Sequence, residues 1–224
     1  MKWVSYNVRL GVDSSYAALG QWLADQCPDV VAVQEVGRFW SMGECTDGPQ
    51  QLALACGCKH LIHAPALYAD NERQGTYGTA LLSKTPFQDV EVLPLPKLKD
   101  EPRKLIRAVL ATPHGPTCIY ATHLSWLESD RPAQFEFLQK RMQGESLPVV
   151  LLGDLNEDAA MAPIQALAQR WQDCGARDAR PTFPCADPKM RLDYVFMPST
   201  WTTRYGGGKV VLSDHFPVIV DSYV

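Results

Sequence analysis

Ten short runs rich in β-branched and aromatic residues recur along this chain, divided by turn residues, and only four stretches carry helical periodicity. The runs at residues 2–8, 29–36, 60–63, 78–83, 90–93, 104–111, 117–124, 149–152, 192–197 and 217–221 predict strands. Helices are predicted over 14–26, 51–56, 131–142 and 159–170, and residues 94–102 and 180–189 read as loops. In the first helix Tyr16, Leu19 and Leu23 share one face, Asp13 is the candidate N-cap, and Pro28 follows the end. Strands that outnumber helices this far do not make a regular βαβ repeat. They suit a two-sheet α/β or α+β sandwich with helices outside. No composition shift marks a boundary, so one domain over residues 1–224 is expected.

Composition narrows the function. The 224 residues are 46% hydrophobic and 21% charged. That excludes broad disorder, and a chain of this length can bury about 70% of its surface. A net charge of −4 argues against coating nucleic acid or membrane by bulk electrostatics, yet leaves room for an enzyme acting on a phosphate. Of seven cysteines only Cys56 and Cys58 stand close, and no CxxC occurs. Neither a zinc site nor a disulfide framework is supported, and reduced thiols point to the cytoplasm. The N-terminus lacks the apolar core of a signal peptide, and no run of ~18 apolar residues predicts an integral membrane segment.

The chemically capable residues share one position: each closes or opens an apolar strand. Asn7 ends VSYN, Gln34 and Glu35 end VVAVQE, His123 ends CIYATH, and Asp154 and Asn156 follow VVLLG. Asp193 opens DYVF, and Asp214 and His215 precede FPVIV. Alone, each reads as a turn, a cap or an ordinary histidine. Together they place polar groups from distant segments on one sheet rim, where sites form.

The motifs SYNVR (5–9), VVAVQEV (30–36), YGTALLSK (77–84), ATHL (121–124), LLGDLNED (151–158), RLDYVF (191–196) and LSDHFPV (212–218) resemble, in order, those of the endonuclease/exonuclease/phosphatase superfamily. That resemblance implies a four-layer α/β sandwich, two packed, mostly antiparallel sheets with helices on both outer faces. It also implies a Mg²⁺- or Mn²⁺-dependent phosphoesterase in which water attacks phosphorus in line. Glu35 matches the family position that holds the divalent metal, Asn7 the neutral residue beside it, and Asp214 a second acid near it. Asp154 matches the residue that orients or deprotonates the attacking water. Asn156 matches the amide that meets a non-bridging phosphate oxygen or the same water. The one-residue gap puts Asp154 and Asn156 on one side of an extended segment, and Gly153 is expected to let the chain turn close to the phosphate. Asp193 and His215 form a carboxylate–imidazole unit, with His215 either general base or charged stabiliser. His123 resembles the histidine that contacts the phosphate or protonates the leaving group.

Asn7 is followed by Val-Arg-Leu-Gly, so the Gly-Leu-Arg element of exonuclease III-type repair enzymes is missing. The reading is therefore a small bacterial-type metal-dependent hydrolase of phosphate esters, a monomer whose substrate is a small molecule, a lipid headgroup or a nucleic acid. The alternatives are a DNA or RNA nuclease, including an abasic-site nuclease, and a catalytically silent binding module on the same fold. Positive charge is local, net +3 over residues 97–107 and net +2 over residues 177–191. Within these stretches Arg107 and Arg191 are the candidates to face a phosphate.

Overall fold

Two six-stranded mixed sheets pack face to face with helices outside each. The computed structural model describes residues 1–70 and 72–224. In the first sheet, β1 (Lys2–Asn7) and β2 (Val30–Arg38) run parallel at the centre. They are flanked by β4 (Thr76–Ser83) and β3 (His60–Tyr68) on one side, and by β12 (Val218–Tyr223) and β11 (Thr202–Gly207) on the other. The second sheet has β7 (Gly115–His123) and β8 (Val149–Asp154) as its parallel pair. Outside them lie β6 (Lys104–Thr112) and β5 (Phe87–Pro94), and β10 (Asp193–Met197) and β9 (Gln172–Asp173). All other pairings are antiparallel.

Strand periodicity explains the layers. Alternate residues of β1 and β2, such as Trp3, Val30 and Ala32, meet Ile106, Ile119, Val150 and Val195 of the opposite sheet in a core between the sheets. The intervening residues Val4, Tyr6, Val31 and Val33 face outward under α1 (Tyr16–Gln26) and α2 (Gly48–Ala55). Leu105, Tyr120, Leu151 and Phe196 do the same under α3 (Arg131–Gln143) and α4 (Ala162–Ala168). Three apolar clusters thus separate four layers, as the sequence resemblance implied. Among the described residues no helix is long and apolar enough to cross a membrane.

The helices start where their caps allow. Ser15, not Asp13, caps α1, its Oγ accepting from Ala18 N–H at 3.1 Å, while Asp13 pairs with Arg9. Asp47 caps α2 by accepting from Gln50 N–H, with Pro49 in the first turn, so that helix begins earlier than predicted. The fourth helix is shorter than predicted. Strands β9 and β11 were not predicted; β11 carries TTRYGG, with little apolar signal, and is held by its full register against β12.

Candidate active site

Five inward-facing rows of apolar side chains end in a polar residue at the same end of the sandwich. Trp3 and Ser5 lead to Asn7, Val30 and Ala32 to Gln34, and Ile119 and Ala121 to His123. Val150 and Leu152 lead to Asp154, and Met197 and Val195 to Asp193. Register then aligns them. His123 lies level with Asp154 across the parallel β7–β8 pair, and Asp154 lies opposite Asp193 across β8–β10. Gly153 permits this packing, since a Cβ there would stand 2.3 Å from the Thr122 carbonyl oxygen. Its role is close approach between neighbouring strands, and it stands within β8 rather than in the turn expected from the sequence.

Glu35 reaches the rim differently. A bulge between Val33 and Val36 shifts the β2–β4 register, and Glu35 takes a left-handed φ of 51° there. Val36 resumes the helix-facing row, so the bulge redirects Glu35 out of it. Asn156 is also left-handed (φ 50°), and its N–H donates to Asp154 Oδ1 at 2.9 Å in an Asx turn.

The side chains converge. Asn7 Nδ2 donates to Glu35 Oε1 at 3.0 Å and to Asp154 Oδ2 at 3.1 Å, while its Oδ1 accepts from Arg9 N–H, which fixes the amide orientation. His215 Nδ1 lies 2.8 Å from Asp193 Oδ2, and its Nε2 lies 3.7 Å from Asp154 Oδ2. Burial disfavours the imidazolium, but Asp193 and Asp154 outweigh it and raise the His215 pKa to about 10. Asp154, 1% exposed, is pushed up by burial first and by the Asp193 charge second. His123 is held well below its usual value by burial, the Arg103 guanidinium and His215. Thr182 Oγ1 accepts from Leu192 and Asp193 N–H, and the Phe183 ring packs 4.6 Å from His215, bracing the pair from the 180–189 loop.

Glu35 and Asp154 therefore meet at one amide nitrogen, and the mutual repulsion of two carboxylates so placed fits relief by a hard divalent cation. Asp214 stands outside this contact, its carboxylate 3.4 Å from Arg9 Nε. Asp154, Asp193 and His215 offer one ligand atom each within 4.8 Å. Both imidazole nitrogens already face carboxylates there, so an imidazolium supplies the offsetting charge in that trio.

Neither arginine singled out from sequence joins the cluster. Arg107 lies on the outward row with Leu105, four residues down β6. Its guanidinium is shared by Glu145 at 2.6 Å and Asp89 at 2.8 Å. Arg191 binds both oxygens of Asp173 and stacks on Tyr194, its Cζ 4.5 Å from the ring centroid. The structure brings Arg103 instead. It precedes β6 by one residue, and its Nη1 donates to His123 Nδ1 at 2.8 Å. In the sequence it is one more charge in the basic 97–107 stretch, and no local signal marks it. Tyr77 is a second addition, buried beside Glu35 and Arg103.

The Arg107 placement gives an expected result. Arg107 holds Glu145 down to about 2, so their pairing stabilises the fold above the ordinary carboxylate value of 4.5 and is lost as pH falls through about 2. Arg107→Met lowers the melting temperature at pH 7 and leaves kcat/KM on any accepted substrate unchanged. A large fall in kcat/KM with no loss of stability overturns this placement.

A model of the endonuclease/exonuclease/phosphatase family matches residues 4–215. The chain belongs to that family. Endonuclease/exonuclease/phosphatase proteins are generally hydrolases of phosphate esters. A family protein from Beutenbergia cavernae superposes with a TM-score of 0.81 at 22% identity, over 99% of this chain and 71% of its own. A mannosyl-6-phosphatase of Bacteroides thetaiotaomicron gives 0.82 at 17% identity over the whole of both chains. The human Nocturnin catalytic domain, solved with a bound sulfate anion, gives 0.72 at 18% identity over 100% of this chain and 93% of its own. At these identities the likeness is one of fold. No curated protein sequence matches the chain.

Proposed function

We propose that this protein hydrolyses a phosphate monoester or diester by in-line attack of water, with Mg²⁺ or Mn²⁺ bound at Glu35 and with Asn7 and Asp214 beside it. The observation that carries the reading is the meeting of Glu35 and Asp154 on one Asn7 amide, next to the buried Asp193–His215 pair. When bound, the cation offsets the negative charge of the ester and of the carboxylates around it. Asp154, whose carboxylate burial makes more basic than usual, is the group that orients water and, in its ionised form, takes its proton. His215, cationic at neutral pH between two carboxylates, stabilises the charge that develops on the phosphoryl oxygens, and Asp193 fixes its ring. Asn156 and His123 face the phosphate from the β7–β8 side.

The surface supports a compact substrate over a long nucleic acid. In the 177–191 stretch, Arg180 pairs with Asp178, Lys189 with Asp187 at 2.6 Å, and Arg191 with Asp173. Arg103 is buried and Arg107 pairs with Glu145, so the 97–107 run exposes Lys97 and Lys99 rather than its arginines, a narrow basic patch. The likeness to a mannosyl-6-phosphatase agrees with a small organic phosphate. The proposed enzyme acts as a monomer, one catalytic domain over residues 1–224.

The test is a panel assayed with and without EDTA: plasmid DNA, abasic duplex, single-stranded RNA, bis-p-nitrophenyl phosphate, sphingomyelin and inositol phosphates. Hydrolysis of a small ester, abolished by EDTA and restored by Mg²⁺ or Mn²⁺, is expected. Activity that survives exhaustive chelation overturns the metal dependence, and dominant cleavage of the abasic duplex overturns the substrate class.

A further inference from the structure

His123 is held between two nitrogen donors. On one side Arg103 Nη1 lies 2.8 Å from Nδ1. On the other, Asn156 Nδ2 lies 3.1 Å from Nε2 while it also donates to the Leu124 carbonyl at 2.9 Å, and the acceptor oxygen Asp154 Oδ2 stands 3.6 Å from the same Nε2. A neutral imidazole accepts on one nitrogen only, so one of these contacts sets N–H against N–H. Reversing the Asn156 amide does not help, because its oxygen would then face the Leu124 carbonyl oxygen.

Arg103 decides the conflict. A guanidinium has no lone pair to offer and does not lose its proton, and a charge-assisted hydrogen bond is the stronger of the two. Nor can it turn away. Its Nη2 is 3.2 Å from Glu101 and 3.6 Å from Asp100, and its side chain is 6% exposed. Asp100 is itself fixed by Ser125 Oγ, and the backbone N–H groups of Leu98, Lys99 and Asp100 all donate to the Asp130 carboxylate. The loop that carries Arg103 is thus built to present a fixed guanidinium to His123.

We infer that Arg103 is a positioning residue that caps Nδ1 of His123 and holds the ring as the neutral Nε2–H tautomer. The Nε2–H of His123 and the Nδ2–H of Asn156 then offer two donors to a single anionic phosphoryl oxygen, which relieves their mutual crowding. In this form His123 does not protonate the leaving group. Giving up Nε2–H would leave an imidazolate, so the leaving oxygen departs as the alkoxide or aryloxide and takes its proton from solvent water. The inference deepens the phosphoesterase reading and rests on it for the identity of the oxygen, but the tautomer itself does not depend on turnover.

The test has a spectroscopic and a kinetic arm. Two-bond ¹H–¹⁵N spectra of the imidazoles in the full-length protein, with His123 assigned by its loss in His123→Gln, are expected to show an unprotonated Nδ1 and a protonated Nε2. Arg103→Lys, which keeps a charged donor, retains that pattern. Arg103→Leu loses it and lowers kcat about 10- to 100-fold, with KM changing less. Should Arg103→Leu fail to fold, the wild-type and Arg103→Lys spectra still decide. With aryl phosphates of graded leaving-group basicity, His123→Gln is expected to lose the same factor throughout. A protonated Nδ1 in the wild-type protein, or a His123→Gln loss that grows with leaving-group basicity, overturns the inference. A protein that shows the expected tautomer but hydrolyses no phosphate ester overturns the phosphoesterase reading and leaves the positioning role of Arg103 intact.

Discussion

Asp154→Asn lowers turnover at least ~10²-fold while changing the stability of the fold little. The carboxylate is almost fully buried, and burial together with the nearby Asp193 charge disfavours its ionised form. An asparagine removes that unfavourable charge, and its Oδ1 still accepts from Asn156 N–H, as Asp154 does at 2.9 Å, but its Nδ2 then faces the Asn7 Nδ2 that donates to Asp154 Oδ2 at 3.1 Å, so the gain and the loss oppose each other. What it cannot do is take a proton from water. Parallel measurement of kcat and melting temperature separates the roles. A variant that loses both together marks Asp154 as structural, and a wild-type rate removes it from the reaction.

His215→Gln is expected to lose at least ~10²-fold in turnover as well, but with the opposite effect on stability. Removing the imidazolium strands Asp193 as a buried charge without its partner, a destabilisation of about 3–5 kcal/mol. The pH dependence has a definite sign. The folded pKa, about 10, lies above the ordinary 6.5 because the Asp193 and Asp154 carboxylates outweigh the cost of burying the charge. The contribution of the ion pair is therefore complete below pH 6.5 and is lost as pH rises through about 10. The gap in melting temperature between wild type and His215→Gln, followed in metal-free buffer, should be widest at the acid end and close toward the alkaline end. A gap that stays flat across that window shows that His215 is neutral in the folded protein, and with it the charged-stabiliser role falls.

Much of the site was legible because strand chemistry is local. Asn7, His123, Asp154 and Asp193 could be found because each interrupts an apolar run of period two, and the structure places all four at the ends of inward rows. Glu35 was legible as a carboxylate after an apolar run, but not as the occupant of a bulge, because its left-handed φ follows from the shift in pairing with β4. Arg107 and Arg103 show the limit. Both stand in the same basic stretch, and nothing nearby distinguishes them. Parity along β6 sends Arg107 outward to Glu145, and the β6–β7 register brings the residue before β6 beside His123. Helix starts failed for a related reason: Asp13 and Ser15 are both competent caps, and Arg9 claims Asp13.

The sequence by itself determined the sandwich of short strands, the helices that cover it, and the set of polar residues that close the strands, since period-two burial and turn chemistry are written residue by residue. The tertiary structure alone decided which of those groups share hydrogen bonds. Asn7 and Asp154 are separated by 147 residues and meet at 3.1 Å only because two sheets pack their inward rows against each other and both rows end at one rim. Pairing of that range depends on sheet order and register, which no local stretch of chain encodes.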